Sequence, residues 1–121
     1  MNVFDASALL AFAQGEDGSA TVEEQLVAGG ACGTANWSEV AQKVRAHGRD
    51  WTLVRALLES YELRLEPVSV EDAERAAGTW AKGSGLSLAD RLCLALGERL
   101  EADVWTADGT WGTAGRIRQV R

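Results

Sequence analysis

Short apolar runs alternate along this chain with longer stretches whose apolar positions recur every three or four residues. That spacing predicts helices, and the short runs predict strands. Helices are predicted over residues 7–14, 21–28, 35–46, 50–61, 69–82 and 88–100. Strands are predicted over residues 1–4, 31–33, 63–68, 102–106 and 117–120, the last at an edge of the sheet. Strands that alternate with helices are typical of a parallel sheet flanked by helices.

The same periodicity predicts which side of each helix is buried. Helix 35–46 should bury Trp37, Val40, Ala41 and Val44, and helix 50–61 should bury Leu53, Val54, Leu57, Leu58 and Tyr61. Helix 69–82 should bury Val70, Ala73, Ala77 and Trp80, and helix 88–100 should bury Leu88, Leu92, Leu96 and Leu100. Thr21 and Glu24 have the spacing of a capping box, so Thr21 is expected to begin the second helix.

The composition fits one globular domain spanning residues 1–121. Apolar residues make up 46% of the 121 residues and charged residues 25%, and most domains have about 100–150 residues. The formal net charge of −6 argues against a protein that holds nucleic acid through overall basic charge. A nuclease stays open, because a site built from carboxylates is itself negative and bound cations would offset part of that charge.

Cysteines and apolar segments narrow the class of protein further. Cys32 and Cys93 belong to no C-x-x-C or Cys/His pattern, so we expect two buried thiols rather than a zinc site or a disulfide. The longest apolar run, from Ala8 to Ala13, has six residues, and a membrane-spanning helix needs about 20. Met1 is followed by no basic region of the kind that opens a secretory signal. We therefore expect a cytoplasmic location and no membrane association.

Four carboxylates fall where the predicted elements meet. Asp5 and Asp108 lie at or just beyond strand ends. Glu39 and Asp90 lie in early turns of helices. Strand ends and the helix starts that follow them share one edge of a parallel sheet. Carboxylates gathered there would raise each other's pKa values unless a cation stood between them, and oxygen ligands suit Mg²⁺ or Mn²⁺. A bound ion of this kind can assist hydrolysis of a phosphodiester.

Each of these carboxylates also has a purely structural interpretation. Asp90 follows Ser87 by three residues, which is a capping box. Asp108-Gly109 is a common turn pair. Asp5 could cap the helix that begins near Ser7, and Glu39 could be a solvated helix residue.

The ordered set resembles the PIN-domain family, and most of all the ribonuclease toxins of VapBC-type toxin–antitoxin pairs. The motifs are Val3-Phe4-Asp5-Ala6-Ser7, Asn36-Trp37-Ser38-Glu39-Val40, Leu88-Ala89-Asp90 and Thr106-Ala107-Asp108. The resemblance implies a three-layer α/β/α sandwich with a short, mainly parallel central sheet. It also implies a Mg²⁺- or Mn²⁺-dependent endoribonuclease whose acidic quartet is Asp5, Glu39, Asp90 and Asp108. Ser7 and Thr106 match the hydroxyl positions that support such a site, while the glycine-rich loop 109–112 departs from the pattern.

The resemblance further implies an RNA substrate of the tRNA or rRNA class, a homodimer, and a cognate VapB-type antitoxin that covers the acidic cleft. Candidate RNA contacts are Lys43, Arg45 and Arg91, with Trp111 as a stacking platform for an unpaired base. The basic cluster at 43–49 also fits a solvated helix face, and tryptophans more often lie in a core or an interface.

Two other functions stay open at this point. One is a PIN-like module that binds a partner or RNA without cleaving it. The other is a phosphatase with Asp5 as nucleophile. Such enzymes usually carry a second aspartate two residues on, where this chain has Ser7.

Overall fold

The computed structural model describes residues 1–121, which form a parallel sheet of five strands with helices on both faces. In chain order the elements are β1 (Asn2–Phe4), α1 (Ala6–Ala13), α2 (Ser19–Ala28), β2 (Gly30–Gly33), α3 (Thr34–Ala46), α4 (Trp51–Glu59), β3 (Arg64–Glu66), α5 (Val70–Gly78), α6 (Leu88–Leu100), β4 (Asp103–Thr106), a 3₁₀ turn (Gly109–Trp111) and β5 (Ile117–Gln119). The predicted α/β/α sandwich is confirmed.

The strand order places β1 at the centre of the sheet. The order is β3-β2-β1-β4-β5, and every neighbouring pair is parallel. The chain builds outward from β1 to β2 and β3 on one side, and then crosses to β4 and β5 on the other. The side of β1 on which strands are added therefore changes between β3 and β4. In open α/β sheets, ligands bind in the crevice beyond the strand ends at such a point.

Two apolar cores form on the two faces of the sheet. Val3 and Phe4 are neighbours in β1 and are both fully buried, and they belong to different core clusters. This follows from the alternation of side chains along a strand. Phe4 joins the larger cluster with α1, α2 and α3, whereas Val3 joins a smaller cluster with Leu96 of α6 and Trp111. Burying one such large side chain stabilises the fold by about 1.5–3 kcal/mol.

The predicted buried side of α5 is wrong. Val70 and Trp80 are 76% and 63% exposed, and the helix ends at Gly78, before Trp80. The buried positions are Asp72 and Ala76. Asp72 accepts hydrogen bonds from Arg99 of α6 at 2.9 and 3.1 Å, and it completes a capping box with Ser69. Burial alone would raise the pKa of Asp72, but the bonds from Arg99 and Ser69 hold it below its usual range. A polar contact therefore sets the rotation of α5 against α6.

Two smaller predictions about helices also differ from the structure. Helix α2 begins at Ser19, and its N-cap is Gly18 without a side-chain hydrogen bond, so Thr21 does not begin the helix. In α4 the N-cap is Asp50 as predicted, but Leu53 is 69% exposed while Leu58 is fully buried. Only part of the apolar stripe of α4 is therefore covered by the rest of this chain. None of the helices combines the length and apolar character needed to cross a bilayer.

Candidate acidic active site

Asp5 lies directly after β1, at the point where the strand order reverses. Its backbone is extended, with φ −80° and ψ 175°, and it is the N-cap of α1 through a 2.8 Å hydrogen bond from the Ala8 amide to Oδ1. The Ser7 hydroxyl donates to both carboxylate oxygens, at 2.8 and 2.9 Å. The Thr106 hydroxyl at the end of β4 donates to Oδ2 at 2.6 Å. Asp5 is 4% exposed, so its orientation is set by these three donors.

Backbone amides orient the two hydroxyl groups that hold Asp5. Ser7 Oγ accepts a hydrogen bond from the Ala107 amide at 2.8 Å, and Thr106 Oγ1 accepts one from the Asp108 amide at 3.0 Å. Because each hydroxyl oxygen already accepts, its proton is free to be donated to the carboxylate. The network joins the end of β1, the start of α1 and the end of β4.

Burial raises the pKa of Asp5 from 3.8 to about 6. The hydrogen bonds from Thr106, Ala8 and Ser7 lower it in part, and the nearby negative charge of Asp90 raises it again. The carboxylate is therefore charged at neutral pH at a cost, since its environment lacks a compensating cation. A positive ion placed against Asp5 would remove that cost.

Asp90 and Glu39 lie at the same edge of the sheet as Asp5. Asp90 forms the predicted capping box with Ser87, in which Asp90 Oδ2 accepts from the Ser87 amide at 3.0 Å and the Asp90 amide donates to Ser87 Oγ at 3.1 Å. Glu39, in α3, pairs with Lys43 one turn later at 3.2 Å. Burial raises the pKa of the Cys93 thiol, and the charges of Asp5, Asp90 and Glu39 raise it further, so all three carboxylates lie within electrostatic range of this thiol.

The Asp108 carboxylate is turned toward its own loop. It is exposed, and Oδ1 accepts hydrogen bonds from the amide and the hydroxyl of Thr110 at 2.9 and 2.6 Å. These bonds lower the pKa of Asp108. The turn interpretation therefore describes its side chain, although the backbone of Asp108 is bonded to the Thr106 hydroxyl. No three acidic, histidine or cysteine side chains are gathered closely enough to hold a metal ion as they stand. That the quartet holds an ion together stays a prediction.

Asn36 belongs to the same edge, and the sequence interpretation gave it no role. It is 2% exposed, and its Nδ2 donates to the Ala89 carbonyl at 3.4 Å, next to Asp90. Its Oδ1 is buried without a partner, which costs about 1–3 kcal/mol. Asn36 lies one helical turn before Glu39, on the same side of α3. The signal for Asn36 in the sequence is its position three residues before Glu39, a candidate ligand.

The structure corrects one candidate RNA contact, Trp111, and shows a second, Arg91, engaged within the protein. Trp111 is 7% exposed and belongs to the smaller core, so neither face of its ring is open to a base. Arg91 donates from Nη1 to the Ala76 carbonyl at 2.7 Å, and its Nε is buried. This side chain therefore binds the end of α5. Lys43 and Arg45 are exposed.

The chemistry of the donors fits a hard divalent cation. Asp5 and Asp90 are carboxylates close enough for their charges to interact, and the buried Oδ1 of Asn36 adds an unpartnered oxygen at the same edge. Oxygen donors of this kind suit Mg²⁺ and Mn²⁺. The thiols of Cys32 and Cys93 are fully buried, and burial raises their pKa values well above the usual range, so they are not available as thiolate ligands.

Comparison with known proteins places this geometry in a family. A PIN-domain family model matches residues 3–115. A toxin–antitoxin complex from Klebsiella pneumoniae has a similar fold, with a TM-score of 0.79 and 18% identity over 100% of this chain and 98% of that chain. VapC20 from Mycobacterium tuberculosis, described as a sarcin–ricin loop cleaving toxin, has a TM-score of 0.77 and 16% identity over 95% of both chains. No curated protein matches the sequence closely enough to count as a relative.

Proposed function

Because this chain belongs to the PIN-domain family, we propose that it is a Mg²⁺- or Mn²⁺-dependent endoribonuclease and the toxin of a type II toxin–antitoxin pair. One observation carries the proposal. At the reversal point of the sheet, a buried Asp5 is held by Ser7, Ala8 and Thr106 beside the charge of Asp90. The description of VapC20 as a sarcin–ricin loop cleaving toxin supports the choice of RNA as substrate, and the toxin–antitoxin complex supports an antitoxin partner.

Asp5 and Asp90 are the residues that would hold the cation, with Glu39 and Asp108 acting directly or through water. When bound, the ion supplies a water of lowered pKa and positive charge opposite the phosphate. The hydroxyls of Ser7 and Thr106 fix the direction of the Asp5 oxygens. Glu39 and Asp108 can join only by giving up the Lys43 pair and the Thr110 hydrogen bonds, respectively, or by using their other oxygen.

Exposed apolar side chains support a protein partner. Leu53 in α4, Val70 in α5 and Trp80 after it are between 63% and 76% exposed. Large apolar side chains left open on a small domain are typical of surfaces that other chains cover. We assign them to the cognate VapB-type antitoxin and to a second copy of this chain in a homodimer. A basic side chain from the antitoxin would complement the carboxylates at the crevice.

A non-catalytic PIN-like binding module is the second candidate. It is favoured by the separation of the acidic side chains, since no three of them are clustered and both Glu39 and Asp108 are paired within the protein. The phosphatase is disfavoured by the residue two positions after Asp5. Such enzymes usually carry a second aspartate there, whereas this chain has Ser7, whose hydroxyl donates to Asp5.

The test is incubation of the purified protein with total RNA in Mn²⁺, with and without EDTA. The proposal expects cleavage that EDTA abolishes and that Asp5→Asn lowers at least about a hundredfold. Asp103→Asn is the matched control, because Asp103 begins β4 at the opposite edge of the sheet and pairs with Arg118. RNA binding without cleavage by the wild-type protein would establish the binding module instead.

A further inference from the structure

A polar pocket opens beside Asp5, and the proposed reaction leaves it without a role. Of the three pockets in the molecule, it is the one that reaches the residues holding Asp5. Its volume is about 270 Å³, and its lining comprises Ser7, Leu10, Gln14, Glu16, Lys43, His47 and Arg121. Ser7 connects it to the site directly, because the same hydroxyl donates to Asp5 at 2.8 Å.

We propose that this pocket binds a phosphate of the RNA strand next to the one that is cleaved. The proposal rests on the proposed ribonuclease function and deepens it by naming a substrate-binding subsite. Lys43, His47 and Arg121 come from the end of α3 and the end of the chain, and they meet on one side of Ser7. Phosphate contacts from such residues position a nucleic acid without reading its sequence.

The donors of these three residues are only partly used inside the protein. Arg121 Nη1 contacts Glu16 at 3.4 Å and the Asp17 carbonyl at 3.1 Å, and a guanidinium has five N–H donors in all. His47 Nδ1 donates to the Lys43 carbonyl at 2.8 Å, and in the imidazolium form Nε2 is a second donor that the protein leaves unused. The Lys43 ammonium has three donors, of which Glu39 takes one at 3.2 Å.

The net charge of the protein favours cationic contacts along the path of the RNA. The net charge is −6, and the crevice itself carries carboxylates, so RNA meets repulsion unless cations line its path. Glu16 and Glu39 each pair with one cation of the pocket, at 42% and 33% side-chain exposure. Exposed pairs of this kind contribute little to stability. A phosphate can therefore share Lys43 and Arg121 with these carboxylates at little cost to the fold.

Lys43 also joins the two parts of the site. Its partner Glu39 is a candidate ligand, and its ammonium lines the phosphate pocket. A phosphate that shares the Lys43 ammonium with Glu39 would weaken this ion pair and make the Glu39 carboxylate more available. The pocket thus extends the acidic site along the RNA strand rather than forming a separate site.

The test uses Arg121→Gln and His47→Ala, with Arg55→Gln as the matched control. Arg55 is an exposed arginine that pairs with Glu59 at 2.8 Å on α4, outside the pocket. Binding of a fluorescein-labelled single-stranded oligoribonucleotide is followed by anisotropy in Mg²⁺ as salt is varied. Every protein carries Asp5→Asn in this assay, so that the probe stays intact.

Arg121→Gln should lower the slope of log K against log salt by about 0.7, the value for one contact to a single strand. This amounts to about fivefold weaker binding at about 0.1 M salt. His47→Ala should also weaken binding about fivefold, the worth of one net hydrogen bond, and Arg55→Gln should change neither quantity. Thermal unfolding of each variant shows whether it is folded. If Arg121→Gln does not fold, His47→Ala still tests the pocket.

Equal losses in Arg121→Gln and Arg55→Gln, or no loss in either pocket variant, would overturn the proposal. In proteins that retain Asp5, Arg121→Gln should raise KM for RNA cleavage with kcat unchanged, as expected for loss of uniform binding. Failure of the wild-type protein to cleave RNA would refute the proposed function and leave the binding result to stand by itself. The two failures are therefore distinguishable.

Discussion

Replacing Asp5 with asparagine should stabilise the metal-free protein. Burial raises the pKa of Asp5 from 3.8 to about 6 in the folded state. The folded protein therefore holds the proton of Asp5 more tightly than the unfolded chain. Between about pH 4 and pH 6 the folded state binds more protons, so the free energy of unfolding falls as the pH rises and then levels off. Asparagine, which is neutral at every pH, does not carry this cost.

The magnitude follows from the two pKa values. One pKa unit corresponds to about 1.4 kcal/mol, so the charged Asp5 lowers the free energy of unfolding by about 3 kcal/mol at neutral pH. The gain on substitution is smaller, because asparagine brings two N–H donors toward the hydroxyls of Ser7 and Thr106, which already accept from backbone amides. We expect Asp5→Asn to be more stable than the wild type by about 1–3 kcal/mol above pH 6, and to lose this advantage near pH 4.

The assay is urea denaturation of EDTA-treated wild type, Asp5→Asn and Asp103→Asn between pH 4 and pH 8. Asp72 and Asp108 have lowered pKa values, so their stabilisation is lost as the pH falls. Their effect is common to all three proteins and cancels in the difference. Saturating Mn²⁺ should then stabilise the wild type by about 2.7 kcal/mol at a hundred times Kd, and leave Asp5→Asn unchanged. The reasoning is refuted if Asp5→Asn is less stable than the wild type at pH 7.5, or if the difference does not change with pH.

Three further substitutions test other parts of the structure. Thr106→Val removes a hydrogen bond that lowers the pKa of Asp5. The acidic limb of the pH profile for Mn²⁺-dependent cleavage should therefore move up by about one pH unit. Thr106→Ser should keep the wild-type profile. Asn36→Ala removes the bond to Ala89 and should weaken Mn²⁺ binding about tenfold by calorimetry, as supporting residues around metal ligands do; an unchanged Kd would show that Asn36 does not position Asp90. Gly97→Ala places a methyl group against Val104. It should lower the free energy of unfolding by about 1–3 kcal/mol despite the better helix propensity of alanine. Gly78→Ala places its methyl group in open space and should be neutral or stabilising in the same urea titration.

The architecture could be predicted from the sequence because periodicity and punctuation agree. Helix α6 has the predicted bounds, with Ser87 as its cap. Its predicted buried side is only partly right, because Leu96 is buried but Leu88 is 59% exposed. The first four apolar runs are separated by helices, which implies a parallel sheet. Parallel strands bring their ends to one edge, so Asp5, Glu39, Asp90 and Asp108 could be assigned to that edge without coordinates.

The burial of α5 could not be predicted, because the contact that decides it joins residues far apart in sequence. An apolar stripe normally faces the core, but Asp72 finds Arg99 of α6 and turns Val70 outward. A partner chain that covers this side of α5 would explain why an apolar stripe is exposed in the single chain. The burial of Trp111 has the same kind of cause, since its loop folds back onto α6 and β4.

Within the site, sequence position predicted which residues lie at the same end of the strands but not which way their side chains point. Asp5 and Thr106 follow or end the neighbouring strands β1 and β4 and are bonded to each other. Asp108 is turned by Thr110, two residues on, and Glu39 by Lys43, four residues on. Such local partners compete with a distant ligand, and a pattern of residue types does not show which partner wins in the absence of the ligand.

Asp5 and Asp90 are proposed to hold a divalent cation where the strand order reverses, between β1 and β4. Anomalous diffraction from crystals grown with Mn²⁺ would locate that ion. We expect a single strong peak, or a close pair, within coordination distance of carboxylate oxygens of both Asp5 and Asp90, and no such peak in crystals of Asp5→Asn. Manganese bound only elsewhere on the surface, or a crevice without manganese at concentrations that support RNA cleavage, would contradict the account.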